Sequence, residues 1–129
     1  MTAQDALAQH RLARARVALE EAALLESAGR WNGALNRMYY AAFYSARALL
    51  ALKRIDSSRH SGVIALFQEH FVKTGTISPE TARALPQAFA RRQRSDYDDF
   101  VEVEADEIKA LREQVERFVH ACEEAVNRT

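Results

Sequence analysis

The sequence has few of the residues that cross-link or bend a chain. It contains one cysteine, Cys122, together with four glycines and two prolines among 129 residues. A single cysteine excludes an internal disulfide framework and a cysteine-rich zinc module. Scarce glycine and proline leave little room for tight turns, whereas Ala, Leu, Arg and Glu, which favour helices, are abundant. The composition therefore predicts long helices with short connections.

The sequence also lacks a net charge, because 18 basic residues balance 18 acidic ones. This balance argues against a protein that coats nucleic acid by bulk charge, but a local basic patch is still compatible with it. No stretch reaches the roughly 20 uninterrupted apolar residues that span a bilayer, and Arg47 breaks the most apolar one, residues 38–52. The N-terminus lacks the pattern of a secretory signal peptide. We therefore expect a cytoplasmic protein that does not act at a membrane.

Five segments have helical periodicity, at about residues 2–28, 32–54, 59–73, 78–96 and 105–126. Gly29 and Gly75 are expected to end the first and third, because glycine readily adopts the left-handed conformation found there. Pro86 should kink or split the fourth, since it lacks an N–H donor and clashes with the preceding turn. No segment alternates apolar and polar residues as a strand does. We predict an all-α protein with one domain over residues 1–129.

The second segment divides into three stripes when its residues are placed 100° apart. One stripe is apolar: Leu35, Met38, Tyr39, Ala42, Phe43, Ala46, Leu49 and Leu50. Another is small: Ala41, Ala48 and Ala51. The third contains Arg37, Tyr40, Tyr44 and Arg47. Such a helix is typical of a bundle centre, so both arginines need anionic partners. Either an internal carboxylate or an anionic ligand in a groove satisfies them.

Two further regions contain candidate functional residues. His60 falls in the first turn of the third segment, where a histidine is more often a surface or capping residue than a ligand. Residues 91–99 switch from basic to acidic, with sequence RRQRSDYDD. Such a run is usually a solvated face with ion pairs four residues apart. Arginines beside a tyrosine are also a common way to hold phosphates and bases.

The common catalytic signatures are missing. The sequence has no glycine-rich phosphate loop, no HExxH, no GxSxG and no CxxC. The remaining histidines, His10, His70 and His120, do not have the spacing of metal ligands on any one helix. Cys122 is expected to be a small core residue. We predict no metal and no cofactor.

Three parts of the sequence nevertheless resemble the HEPN domain family. They are residues 36–50 (NRMYYAAFYSARALL), residues 60–75 with their HSGVI and FVKTG motifs, and residues 91–97 (RRQRSDY). The resemblance covers nearly the whole chain and is greatest to the small, stand-alone prokaryotic branch. It implies an up-and-down bundle of four long helices with a shorter additional one. It also implies a homodimer, a link to nucleotides or RNA, and a role in a toxin–antitoxin pair with a minimal nucleotidyltransferase.

The sequence departs from the ribonuclease members of this family at one motif. Those members carry Arg, four to six residues and then His late in the bundle, whereas residues 91–97 contain no histidine. Arg54 and His60 have the right spacing, but they precede the third helix. Metal-free RNA cleavage needs a base and a cation. Arg91 or Arg94 can supply the cation, and His60 the base if the fold brings it close. Asp96 is a poor base unless burial raises its pKa, so enzymatic activity is left open.

The motifs together predict one cleft for a nucleotide or RNA. Its candidate residues are Arg37, Tyr40, His60, Arg91, Arg94, Asp96 and Tyr97. Arg37 is expected to pair with Asp96 and so to orient the fourth helix. The resemblance implies that Tyr97 lies where a partner transferase attaches nucleotide to some family toxins.

Three functions are compatible with these motifs. The first is a nucleotide- or RNA-interacting component of a toxin–antitoxin or defence module. The second is a non-catalytic homodimeric module that binds a partner. The third is a metal-independent endoribonuclease with an altered Arg/His site.

Overall fold

The computed structural model describes residues 2–97 and 103–128. Their helices are α1 (Ala3–Ser27), α2 (Trp31–Leu52), α3 (His60–Phe67), α4 (Pro79–Ala82), α5 (Ala84–Tyr97) and α6 (Ala105–Asn127). A single π-helical turn, Gln68–Val72, extends α3. These residues form no strand, which confirms the predicted all-α fold.

The first long helix begins and ends where the sequence predicts. The Thr2 hydroxyl accepts a hydrogen bond from the Asp5 backbone N–H, and the Asp5 carboxylate accepts one from the Thr2 N–H. This reciprocal pair satisfies two N–H groups that have no partner within the helix. Gly29 follows the helix with a φ of +72°, a conformation that is strained for other residues. Gly75 does the same after the π turn, with a φ of +82°.

The predicted fourth segment is divided into two helices ahead of Pro86, with Arg83 alone between them. The first piece, α4, is capped by the Ser78 hydroxyl, which accepts from the Thr81 N–H at 3.2 Å. The helix is interrupted at the single residue Arg83, whose backbone stays near helical angles with a φ of −59° and a ψ of −23°, and it continues in α5. Pro86 has no N–H to donate to the carbonyl of Ala82, and its ring would crowd that carbonyl in a continuous helix. The break precedes the proline by three residues for this reason.

The second helix is the centre of the bundle, as predicted. It packs against α1, α3, α5 and α6. Every residue of its predicted apolar stripe is at most 7% exposed, and Ala41, Ala48 and Ala51 are buried as well. Its neighbour α1 turns mainly small residues inward, among them Ala8, Ala15, Ala18 and Ala22. Small side chains on both helices allow their axes to lie close together.

The last helix closes the core with a regular apolar stripe. Its buried residues include Ile108, Leu111, Val115, Phe118 and Cys122. Burial raises the pKa of the Cys122 thiol, which therefore stays protonated and behaves as a small apolar side chain. In the part of the chain that the structure describes, no helix is both long and apolar enough to cross a bilayer.

Candidate functional site

An open groove lies where the start of α3 meets one face of α5. Its volume is about 620 Å³, and it is lined by Ser58, Arg59, His60, Ser61, Phe89, Arg92, Gln93 and Asp96. Behind this lining, Tyr39 of α2 contacts His60, Phe89 and Arg92. The groove therefore combines cations, a carboxylate, hydroxyls and aromatic rings at the meeting point of three helices.

His60 is held firmly at this groove by three contacts with α2. Its ring stacks on Phe43, with centroids 4.5 Å apart, and on Tyr39, with centroids 5.5 Å apart. Its Nδ1 atom lies 2.7 Å from the Tyr39 hydroxyl oxygen. Desolvation lowers the pKa of His60, and the positive charges of Arg92 and Arg47 lower it further. The imidazole is therefore neutral at pH 7, as a general base must be.

The partner of His60, Tyr39, belongs to the core. The residue is fully buried, and burial raises the pKa of its phenol well above the ordinary value. The phenol keeps its proton at any physiological pH. The 2.7 Å bond therefore joins a neutral hydroxyl to a neutral ring, and it fixes the orientation of His60.

Arg92 reaches the groove from α5. Its guanidinium carbon lies 5.1 Å from the ring centre of Tyr39 and 5.4 Å from that of Tyr40. Its Nε atom is 3.3 Å from a carboxylate oxygen of Asp96, one turn further along the same helix. That nitrogen is nonetheless buried without a hydrogen-bond acceptor among the described residues. Arg92 thus keeps hydrogen-bonding capacity beside the groove, which an anionic ligand can use.

Aromatic rings and arginines continue from the groove along α2. Tyr40 packs edge-on against His60. The Arg37 guanidinium carbon lies 5.1 Å from the ring centre of Tyr40. Tyr44 follows, 5.7 Å from Tyr40. The Arg14 guanidinium covers Tyr44 at 4.5 Å and donates a hydrogen bond to its hydroxyl at 2.9 Å. The predicted Arg–Tyr stripe of α2 is therefore a half-buried surface rather than part of the core.

This face is basic, although the chain as a whole is neutral. Its arginines are Arg11, Arg14, Arg37, Arg47, Arg59 and Arg92, and the carboxylates beside them are Glu21, Asp56 and Asp96. Among the described residues of this face, three positive charges are in excess. A local excess on a neutral chain is the pattern of a patch that attracts one anionic ligand.

A separate ion-pair network anchors the loop that precedes His60. Arg47 donates to the Asp56 carboxylate at 2.8 Å, and Arg11 lies 3.6 Å from the same carboxylate. Desolvation alone would raise the pKa of Asp56, but the hydrogen bond from Arg47 outweighs it, and the pKa falls below its usual value. Arg11 also donates to the Arg47 carbonyl at 3.0 Å. The sequence left Arg47 with either an internal carboxylate or an anionic ligand as its partner, and the ion pair with Asp56 confirms the internal carboxylate.

The structure brings three of the predicted site residues together. His60 and Asp96 line the groove, and Tyr40 packs against His60. Arg37 lies on the other side of Tyr40 and pairs with Glu21 at 3.4 Å. The predicted Arg37–Asp96 pair is wrong, because Asp96 is taken by Arg92 on its own helix.

The remaining predicted residues lie elsewhere. Arg91 is 7% exposed; its Nε donates to the Glu107 carboxylate of α6, and its Nη1 donates to Ser95 at 3.2 Å. It therefore braces α5 against α6 and does not line the groove. Arg94 is exposed and is not part of the groove lining. The side chain of Tyr97 is outside the residues that the structure describes.

Six lining residues of the groove were not predicted from the sequence, and three of them supply its cations and an aromatic ring, namely Arg59, Phe89 and Arg92. A signal for two of them was present. Phe89, Arg92 and Asp96 follow one another at i, i+3 and i+7 and so share one face of a helix. Arg91 instead continues the buried stripe that starts at Ala84 and Ala88. The position of Arg59 depends on the loop after α2, which periodicity does not predict.

Metal ligation finds no support in the described part of the chain. Within residues 2–97 and 103–128, no three His, Cys, Asp or Glu side chains are grouped so that they could hold an ion. What the groove can offer a ligand is guanidinium donors, an imidazole and aromatic faces.

Comparisons with known proteins identify the family of the chain. The family model for the HEPN domain matches residues 8–125, which include the helices that build the groove. A Thermotoga maritima protein named "UPF0332 protein" is 36% identical over 126 residues, which are 98% of this chain and 96% of the relative. Two Methanocaldococcus jannaschii proteins are both named "Putative toxin". One is 34% identical over 76% of this chain and 67% of its own length, the other 32% over 74% and 71%. The chain belongs to the HEPN domain family.

Proposed function

We propose that this protein is the RNA-binding component of a toxin–antitoxin module and that the His60 groove holds single-stranded RNA. The observation that carries the proposal is the position of Arg92. Its guanidinium lies on two tyrosine rings at the groove and keeps a buried Nε without an acceptor in the described residues. A phosphate oxygen supplies such an acceptor.

The surface beside Arg92 suits single-stranded nucleic acid better than a duplex. Unstacked bases bind to aromatic faces, and their phosphates bind to nearby arginines. Tyr40 and His60 supply rings, while Arg37, Arg59 and Arg92 supply cations within the same face. The excess charge is local, so we expect binding to weaken steeply with salt while bulk association with nucleic acid stays low.

Partners belong to the same proposal. Family membership and the names of the two Methanocaldococcus jannaschii relatives support a toxin-type module. We infer that the single helical domain acts in the cytoplasm as a homodimer, with a minimal nucleotidyltransferase as its partner. Tyr97 is then the candidate acceptor of a nucleotide from that partner. Mass spectrometry of the protein co-expressed with a nucleotidyltransferase from an adjacent gene tests this proposal, and an unmodified Tyr97 contradicts it.

The binding proposal is tested by fluorescence anisotropy with a short, unstructured RNA, and with a mononucleotide in a second arm. Arg92→Gln should weaken RNA binding by roughly tenfold or more, because it removes a charge-assisted contact. Arg112→Gln is the matched control, since both side chains are 22% exposed and both have a carboxylate four residues away. Equal affinities for the two variants contradict the proposal.

A second function, metal-independent RNA cleavage, is favoured by the neutral His60. With Nδ1–H donating to the Tyr39 hydroxyl oxygen, the free Nε2 of His60 can accept the proton of a 2′-hydroxyl, whose oxygen then attacks the adjacent phosphorus. Arg92 or Arg59 would stabilise the negative charge on the phosphate. The bond to the 5′-oxygen breaks, that oxygen takes a proton from water, and a 2′,3′-cyclic phosphate remains.

Cleavage is tested on the same RNA in the presence of a chelator. Activity in the wild type that is lost in His60→Ala but kept in His70→Ala supports it, because His70 is outside the groove lining. Arg94→Ala should retain activity for the same reason. RNA binding without cleavage leaves a non-catalytic binding protein. The absence of both favours the remaining alternative, a homodimeric module that only docks a partner.

A further inference from the structure

One carboxylate, that of Asp96, lies among the described residues that line the groove. Its side chain is 38% exposed, and its Oδ2 atom lies 3.3 Å from Nε of Arg92. This contact is an ion pair without a hydrogen bond, because Nε of Arg92 has no acceptor among the described residues. Asp56 differs, since its carboxylate accepts hydrogen bonds from Arg47 and from the backbone N–H of Ser57. The Asp96 carboxylate therefore keeps its capacity to accept hydrogen bonds at the open surface of the groove.

A carboxylate is an unfavourable neighbour for an RNA strand unless it meets a hydrogen-bond donor. It repels phosphates, since like charges brought together weaken binding. Its ion pair with Arg92 lies within one helix and is partly exposed, and such pairs contribute little to stability. The donors that an unpaired RNA strand presents are its 2′-hydroxyls and the N–H groups on the edges of its bases. Asp96 is therefore suited to contact a base rather than the backbone.

The α5 wall of the groove presents a ring, an amide and a carboxylate in order along the helix. Phe89 supplies the ring, Gln93 the amide one turn later, and Asp96 the carboxylate, about 10 Å along the axis from Phe89. The ring of Phe89 packs against Tyr39 of the core, with centroids 5.4 Å apart. A base that lies along this wall can pack on the ring while its edge meets the amide and the carboxylate.

We propose that the groove selects guanine and that Asp96 determines this specificity. This rests on the RNA binding proposed above and names the base that the same groove takes. A carboxylate only accepts hydrogen bonds, and it has two oxygens to do so. Guanine alone among the four bases has two adjacent donors on its Watson–Crick edge, N1–H and N2–H, so both oxygens are used at once.

The other three bases match the carboxylate less well. Adenine and cytosine each donate through one amino group, which lies beside a ring nitrogen that only accepts hydrogen bonds. Uracil donates through N3–H, but the two carbonyl oxygens that flank this group repel a carboxylate. The Gln93 amide adds to the preference, because its N–H can donate to O6 of guanine. The expected order of affinity is guanine first, adenine and cytosine next, and uracil last.

Fluorescence anisotropy tests this order with short uridine-rich RNAs that differ at one central position. The strand with guanine there should bind about tenfold more tightly than the strand with uracil. A strand with inosine is the sharpest probe, because hypoxanthine is guanine without its N2 amino group. It should bind less tightly than the guanine strand, since one of the two hydrogen bonds to Asp96 is lost.

Asp96→Asn separates base selection from a structural role of the carboxylate. An asparagine amide offers one acceptor in place of two, so the ratio of the guanine to the uracil affinity should fall close to unity. If Asp96 only held Arg92, its loss would change the affinity for every strand by the same factor and leave this ratio unchanged. Asp106→Asn is the matched control, because it removes the same charge at an exposed position of α6 outside the groove lining. The ratio should be preserved in that variant.

The outcomes distinguish the base preference from RNA binding itself. Equal affinity of the wild type for the guanine and uracil strands, or a preference for another base, overturns the inference and leaves RNA binding intact. A guanine preference that survives Asp96→Asn, or that Asp106→Asn abolishes as well, overturns the role of Asp96. Absence of binding to every strand overturns the proposed function, and this inference with it.

Discussion

Arginines on two faces of this bundle meet different surroundings. Where α1 packs against α6, Arg16 donates to Glu123 through two nitrogens, and Arg112 is held by Glu26 and Glu116. At the groove, Arg92 lies on two aromatic rings, with one ion pair at 3.3 Å. Arginines saturated by carboxylates hold helices together, whereas those resting on rings retain donors for a ligand. The guanidinium contacts therefore distinguish the candidate functional face from the other faces better than the number of arginines does.

Phe43→Ala should have the largest effect, because this side chain belongs to the core and also supports the ring of His60. It is 7% exposed, and its ring stacks on His60. Truncating a buried phenylalanine typically costs about 3–5 kcal/mol in the free energy of unfolding. Urea denaturation measures this cost, and the NMR signals of His60 should shift in the same variant. A loss below about 1 kcal/mol would mean that Phe43 is not part of the core.

Arg91 and Arg92 are adjacent in the sequence, but one contacts a carboxylate of α6 and the other lies on aromatic rings at the groove. They therefore test the difference between the two kinds of arginine within one helix. Arg91→Ala should lower the free energy of unfolding by about 1–2 kcal/mol, because it removes a buried brace to Glu107. Glu107 is 45% exposed and regains water, which keeps the loss below that of a fully buried pair. RNA affinity should be preserved.

Arg92→Ala should show the reverse pattern. Its stability should change by less than about 1 kcal/mol, while RNA binding falls. Urea denaturation and anisotropy on both variants measure the two effects. Equal losses of stability, or loss of RNA binding in the Arg91 variant alone, would contradict the separation between brace and ligand donor.

The pH dependence of stability tests the surroundings of His60. Burial and nearby arginines lower its pKa in the folded state, so the unfolded chain binds the proton more readily. The contribution of His60 to the free energy of unfolding is therefore fully present above the pKa of the unfolded chain, near 6.5. It is lost as the pH falls through the lower pKa of the folded state. Replacing His60 by Asn should flatten that part of the profile. An unchanged slope between pH 7 and pH 5 in that variant would show that His60 is not the group responsible.

The fold was predictable because its signals are local and repeated. The stripes of α2, the glycine stops and the proline break all follow from backbone chemistry. The groove was only partly predictable. The face of α5 that lines the groove depends on how α5 packs against α2 and α6. A rotation of α5 about its own axis decides which of two neighbours, Arg91 or Arg92, reaches the groove and which contacts α6. The partner of Arg37 was misassigned for a related reason, because the neighbouring helix α1 supplies Glu21.

Arg37→Ala should have the smallest effect. A buried pair with Asp96 would have made it costly, but Arg37 is 28% exposed and its partner Glu21 is 47% exposed. Water replaces much of such a pair, so the free energy of unfolding should fall by no more than about 1 kcal/mol. The contact with the Tyr40 ring is lost too, so a modest decrease in RNA affinity is expected, below that of Arg92→Ala. A thermal melt and the anisotropy assay measure both effects. A loss of several kcal/mol would mean that Arg37 meets a buried carboxylate after all, and that the two faces differ less than their contacts indicate.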